Sequence, residues 1–136
     1  MILADTSVLS LVLRRRPEDR SAAENRVVGA LERASALALV AIVGPVRQEL
    51  LSGVRVQRQF DRLSAALDGF ALLPLGASTW DEAARCFNRC QSHGLAATPT
   101  DMLLCAACIE HDVALLTTDG DFTRYARHLP IRLLEV

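Results

Sequence analysis

LLTTDGDF, residues 115–122, begins like the end of a buried strand and finishes on two acids, Asp119 and Asp121, with only Gly120 between them. Asp119-Gly120 is a good hairpin turn, but a hairpin needs a second strand after the glycine. DFTRYARHL, residues 121–129, has a helical pattern instead. The segment therefore reads as a strand, VALLTT at 113–118, that hands over to a short helix and carries an acid at its carboxyl end.

Working backward, Pro99 sits just inside a helix whose Met102, Leu103, Ala106 and Ile109 recur at helical spacing. Before it, Ser78 with Asp81 and Glu82 gives a capped start to a helix that ends near His93-Gly94. FALLPL at 70–75 reads as a strand. Residues 56–68 make an amphipathic helix through Val56, Phe60, Leu63 and Leu67. Pro45 opens a helix that holds Glu49 and ends at Gly53. LALVAI at 37–42 is a buried strand, and residues 19–35 are helical. ILAD at 2–5 is a first strand followed by a helix through VLSLVL, broken by Arg14, Arg15, Arg16 and Pro17. IRLLEV at 131–136 reads as a last strand. Short apolar strands alternating with helices imply an α/β domain, a mostly parallel sheet with helices on both faces. No linker, repeat or low-complexity tract divides the chain, so residues 1–136 read as a single domain.

Composition narrows the function. The formal charge is −1, and all fifteen basic residues are Arg. A chain without Lys has no P-loop lysine and no phosphate-sensing lysine of a receiver domain. No apolar run is long enough to span a bilayer, and MILADTS lacks the basic region of a signal peptide, so the sequence reads as a soluble cytoplasmic protein. Cys86, Cys90, Cys105 and Cys108 have zinc-like spacings, but both pairs fall in helical segments without the turns of a zinc knuckle. They read as small core residues.

A parallel sheet binds ligands at the carboxyl ends of its strands. Asp5 follows the first strand and Asp119 follows the fourth, so both belong on one rim. Asp101 lies in the first turn of the helix that feeds the fourth strand, and Glu49 in a helix after the second. Each has an ordinary alternative: Asp5 as a helix N-cap, Asp101 as a first-turn acid favoured by the helix dipole, Asp119 as a turn residue, and Glu49 as a solvated helix residue. Gathered at one edge, the four would instead repel one another unless a hard cation such as Mg²⁺ or Mn²⁺ joined them.

MILADTSVL, VRQELLSG and TDMLLCAACIEHDVALLTTDGDF, in this order, resemble the PIN-domain ribonucleases, above all the VapC-type toxins of bacterial toxin–antitoxin pairs. The resemblance spans essentially the whole chain and implies a PIN-like three-layer fold. It implies an acidic quartet at Asp5, Glu49, Asp101 and Asp119, with Asp121 as an auxiliary ligand or a helix cap and Thr6, Ser7 and Thr117 as supporting polar residues. It further implies a type II toxin acting as an endoribonuclease that needs Mg²⁺ or Mn²⁺ and hydrolyses RNA with a metal-activated water. Its partners would be a small antitoxin, seated near the helices at 19–35 and 44–68, and a second copy of the chain. Arg14, Arg15, Arg16 and Arg47 are candidate RNA contacts, since the chain apart from its site acids is net basic. The alternative is a PIN-fold module that binds RNA or a partner without cutting. An Asp-x-Asp phosphatase after the first strand is excluded because Ser7 stands where the second Asp is needed. A Toprim-like domain would need a glycine after its first acid, where Thr6 stands.

Overall fold

The computed structural model describes residues 1–136. Four strands, β1 (Ile2–Ala4), β2 (Val40–Ile42), β3 (Ala71–Leu72) and β4 (Ala114–Leu116), form one sheet in the order β3-β2-β1-β4. Every pairing is parallel: Ile2 lies opposite Val40 on one side and Ala114 on the other, and Ala41 opposite Ala71. Seven helices connect them: α1 (Thr6–Leu13), α2 (Ala22–Ala36), α3 (Gly44–Leu51), α4 (Gln57–Leu67), α5 (Ala77–Ser92), α6 (Pro99–His111) and α7 (Asp121–Tyr125), with a 3₁₀ turn at Pro17–Asp19.

The strand order decides where a ligand site lies. Crossovers from β1 to β2 and from β2 to β3 step the same way, so right-handedness puts α1–α2 and α3–α4 on one face. The return from β3 to β4 runs the other way and puts α5–α6 on the opposite face. The packing agrees: α1 packs on α2 and α3, and α3 on α4, while α5 packs chiefly on α6. The order therefore reverses between β1 and β4, the topological switch point of an open parallel sheet. A core of 28 residues, with Leu3, Leu9, Ile42, Leu50, Met102, Leu116 and Phe122 fully enclosed, holds these layers together. No helix is long and apolar enough to cross a membrane.

The structure corrects four expectations. The run at 37–42 becomes a strand only at Val40, because Ala38 takes a positive φ of 55° to close α2; Leu37 and Leu39 are left exposed. The strand at 70–75 shrinks to Ala71–Leu72, because Pro74 has no N–H for a ladder. The last strand, 131–136, is a single bridge of Leu133 to Leu115. The Ile131 N–H turns back to Leu129, so the chain reaches the sheet edge late and makes only two bonds there, Leu115 to Arg132 and Leu134 to Leu115. Finally, α5 is capped through Gly76, whose N–H donates to the Thr79 hydroxyl (3.1 Å), whereas Ser78 donates to Glu110 (2.7 Å).

The four cysteines are all free and buried at the α5–α6 seam. Burial pushes the Cys86 thiol up to about 11 and Cys108 up to about 12, so both are neutral at physiological pH. No three of these thiols come close enough together to share a metal ion. Purified protein is accordingly expected to carry no stoichiometric zinc, and the double variant Cys105→Ala, Cys108→Ala should fold without added metal. Zinc found by elemental analysis and lost with these two changes would overturn this.

Candidate active site

The loop ends at the switch point bring the acids together. Asp5 ends β1 and is the N-cap of α1: its Oδ1 accepts from the Val8 N–H (3.2 Å) and the Ser7 hydroxyl (2.6 Å), and its Oδ2 from the Thr117 hydroxyl. Thr117 leaves β4 and also accepts the N–H of Asp119 (3.0 Å). Ser7 accepts the N–H of Thr118 (3.0 Å). Two hydroxyls thus stitch the start of α1 to the exit of β4, and the ordinary cap and the site geometry are the same feature. Asp5 is only 4 % exposed. Burial is the main cause that raises its carboxyl above the usual range, and repulsion from Asp119 adds to it.

Asp101 lies in the first turn of α6, whose start is fixed by Thr98: the Thr98 hydroxyl accepts the Asp101 N–H (3.1 Å). Its Oδ2 accepts from Tyr125 (3.1 Å) on α7. Burial again leads in raising its carboxyl, with Asp119 and Asp121 contributing. Asp119, Asp121 and Asp101 each offer an oxygen within 4.8 Å of the others. Asp119 Oδ1 accepts the N–H of Asp121 (2.9 Å) across Gly120, the N-cap of α7, so Asp121 is the first residue of the short helix and not its cap. Asp121 instead forms an ion pair with Arg124 one turn on. Glu49 is exposed on α3 and accepts from the Thr6 hydroxyl (2.8 Å), which puts it beside Asp5 but outside the tight trio.

The ion pairs of the protein join Arg15 to Glu24, Arg47 to Asp68, Arg85 to Glu82, Arg124 to Asp121 and Arg132 to Asp112. Asp5, Glu49, Asp101 and Asp119 have none. Hydroxyls and backbone N–H groups hold them, and Asp101, Asp119 and Glu49 each keep one carboxylate oxygen without a protein donor. An all-oxygen set of negative groups lacking any cationic partner is the donor set that hard divalent cations take.

Of the arginines, Arg47 brackets α3 to α4, donating to Ser64 (2.9 Å) and pairing with the exposed Asp68 (3.0 Å). Arg14 donates to the Leu50 carbonyl (2.6 Å) and Arg15 pairs with Glu24, both beside a cleft that reaches Thr118. Arg16 is exposed. The sequence alone does not single out Tyr125 as a site residue. Its place four residues after Asp121, on the helix that follows the acidic turn, was the available signal that it faces the site.

A family model described as PIN domain matches residues 2–128. No curated protein matches the chain in sequence. Its fold is similar to VapBC2 from Rickettsia felis, solved bound to a DNA fragment from their promoter: TM-score 0.76 and 19% identity over 99% of this chain and 98% of that one. It is also similar to FitAcB from Neisseria gonorrhoeae, with TM-score 0.75 and 22% identity over 99% and 97%. A toxin–antitoxin complex from Klebsiella pneumoniae gives 0.67 and 20% over 90% of each chain.

Proposed function

The chain belongs to the PIN-domain family, and from that premise we propose that it is a metal-dependent endoribonuclease, the toxin of a toxin–antitoxin pair acting in the cytoplasm as a single domain over residues 1–136. The observation that supports this is the convergence of Asp101, Asp119 and Asp121 within 4.8 Å of one another, with Asp5 and Glu49 beside them and only Asp121 in an ion pair. Asp101 and Asp119, with Asp5, Glu49 and in part Asp121, would hold Mg²⁺ or Mn²⁺. The bound ion supplies Lewis acidity for phosphodiester hydrolysis.

The chain's own residues do the rest. Ser7 and Thr117 fix both oxygens of Asp5. Tyr125, a phenol protonated at neutral pH whose pKa burial raises further, stays a donor and orients Asp101. Glu49, exposed and with one oxygen free, is the candidate to orient or deprotonate the attacking water. Arg14, Arg15 and Arg16 flank the site as cations for RNA.

Two protein partners fit the remaining surface. Val12 on α1 and Val56 at the start of α4, both exposed, support an antitoxin seated over the α1–α4 face. Between α5, α6 and the start of α3, Pro45, Trp80, Ala84, Phe87, Pro99 and Leu103 line an apolar groove of about 520 Å³. Trp80 is 52 % exposed there, and a second copy of the chain would cover it. Trp80→Glu is expected to convert the dimer to a monomer in light scattering, whereas an unchanged mass would remove this groove from the interface.

The deciding experiment is cleavage of RNA with Mg²⁺ or Mn²⁺, with and without chelator. Cleavage that stops with chelator supports the nuclease. Binding without cleavage at any metal concentration would favour the silent RNA- or protein-binding module.

A further inference from the structure

A cleft of about 480 Å³ runs along α1, lined by Ser7, Ser10, Arg14 and Arg15, by Glu24 on α2, and by Thr118 at the exit of β4. Ser7, Ser10 and Arg14 lie at i, i+3 and i+7 and so share one stripe of the helix. The cleft opens at Thr118, next to Asp119, and its far end is the guanidinium pair. At 1.5 Å per residue the stripe is about 10 Å long, the length of about three stacked nucleotides of one strand. Its chemistry is hydroxyls at Ser10 and Thr118 leading to the cations Arg14 and Arg15, which suits a chain of phosphates leaving the acidic site, while the Ser7 hydroxyl is committed to Asp5.

One feature of the cleft runs against that chemistry. The Glu24 carboxylate sits inside it, 2.5 Å from Arg15. Glu24 is held rigidly: its Oε1 accepts the Ser21 N–H (2.9 Å), and its own N–H donates to the Ser21 hydroxyl (3.1 Å), a complete capping box. With Oε1 held by the Ser21 N–H, the carboxylate presents one anionic oxygen, Oε2, to the Arg15 guanidinium, as a single phosphate oxygen would.

Resting on the reading of the site as an RNA nuclease, we propose that the α1 cleft is a phosphate subsite for the RNA strand beyond the cleaved bond. Glu24 is its built-in phosphate substitute, holding Arg15 in place until RNA displaces it.

The two partners of the ion pair then act with opposite sign. Arg15→Ala removes a phosphate contact. Glu24→Gln keeps the capping box, which Gln also makes, but removes the competing charge. The test is fluorescence anisotropy of a labelled single-stranded RNA in chelator, at several salt concentrations. Arg15→Ala should weaken binding about fivefold and lower the salt slope by about 0.7. Glu24→Gln should tighten binding by a few-fold, and the double variant should bind as Arg15→Ala does. A merely structural ion pair would make both single variants bind worse or leave both unchanged, and either result overturns the subsite. The outcomes separate the two readings. Opposite-signed effects without cleavage keep the subsite and remove the nuclease. Metal-dependent cleavage with binding blind to both changes removes the subsite alone.

Discussion

Asp5→Asn and Asp101→Asn are each expected to lower metal-dependent RNA cleavage by at least ~100-fold while leaving the fold intact. Removing groups that only support a metal's ligands costs 10- to 100-fold as a rule, and a ligand itself should cost no less. The fold survives for separate reasons at the two positions. At Asp5, Asn keeps the side-chain volume and an oxygen to accept from Val8 and Ser7, and it relieves a buried charge at a residue only 4 % exposed. Thr117 loses its acceptor there but still accepts the Asp119 N–H. At Asp101, Asn can accept from Tyr125 as Asp does, and the Thr98 cap uses the backbone and is untouched. What is lost is a first-turn charge, worth ~0.3–1 kcal/mol against the helix dipole. Circular dichroism melts check folding, and cleavage of RNA with Mn²⁺ checks activity. Full activity in a folded Asp5→Asn protein would sink the assignment of the site.

The parts of this chain legible in sequence are those set by short-range chemistry. The helix after Pro99 follows from Pro99 and the spacing of Met102, Leu103, Ala106 and Ile109. The acids at the ends of β1 and β4 follow from apolar runs that stop on Asp. What sequence obscured was set by partners distant along the chain. Leu37 and Leu39 have strand composition, yet the Ala38 turn that closes α2 takes them out of the sheet. Residues 131–136 have a strand's apolar composition, but they reach an edge where only Leu133 pairs. Arg47 resembles any surface arginine until α4 brings Ser64 and Asp68 to it. Asp5 reads as either a helix cap or a candidate site residue, and the fold makes it the cap of α1 while leaving it on the rim beside Thr117. The hydroxyls of Ser7 and Thr117 were recognisable as polar neighbours, but their role in joining α1 to β4 depends on contacts 110 and more residues apart.

The metal-free protein should lose stability between acid and neutral pH, and divalent metal should restore it. Asp5 and Asp101 have carboxyls raised above the ordinary 3.8, chiefly by burial and further by Asp119. A raised carboxyl binds its proton more tightly in the folded state than in the unfolded one. The stability this gives is fully present below about 3.8 and is lost as pH rises through the raised value. Global acid denaturation sets the lower end of that window. Carboxylates up to 4.8 Å apart repel by about 3 kcal/mol at an effective dielectric of ~20, and by less where Asp119 meets water. An ion at ten times its dissociation constant contributes about 1.4 kcal/mol, a rise in melting temperature on the order of 4 °C for a chain of this size. Asp119→Asn isolates the cause, because Asn can still accept the Asp121 N–H and keep the start of α7. Without metal this variant should be no less stable than the wild type at neutral pH; with Mn²⁺ it should gain less. If Asp119 were only a turn residue, Mn²⁺ would shift both proteins alike. Thermal melts of the two proteins, in chelator and in Mn²⁺, read the difference directly, and equal shifts would take Asp119 out of the site.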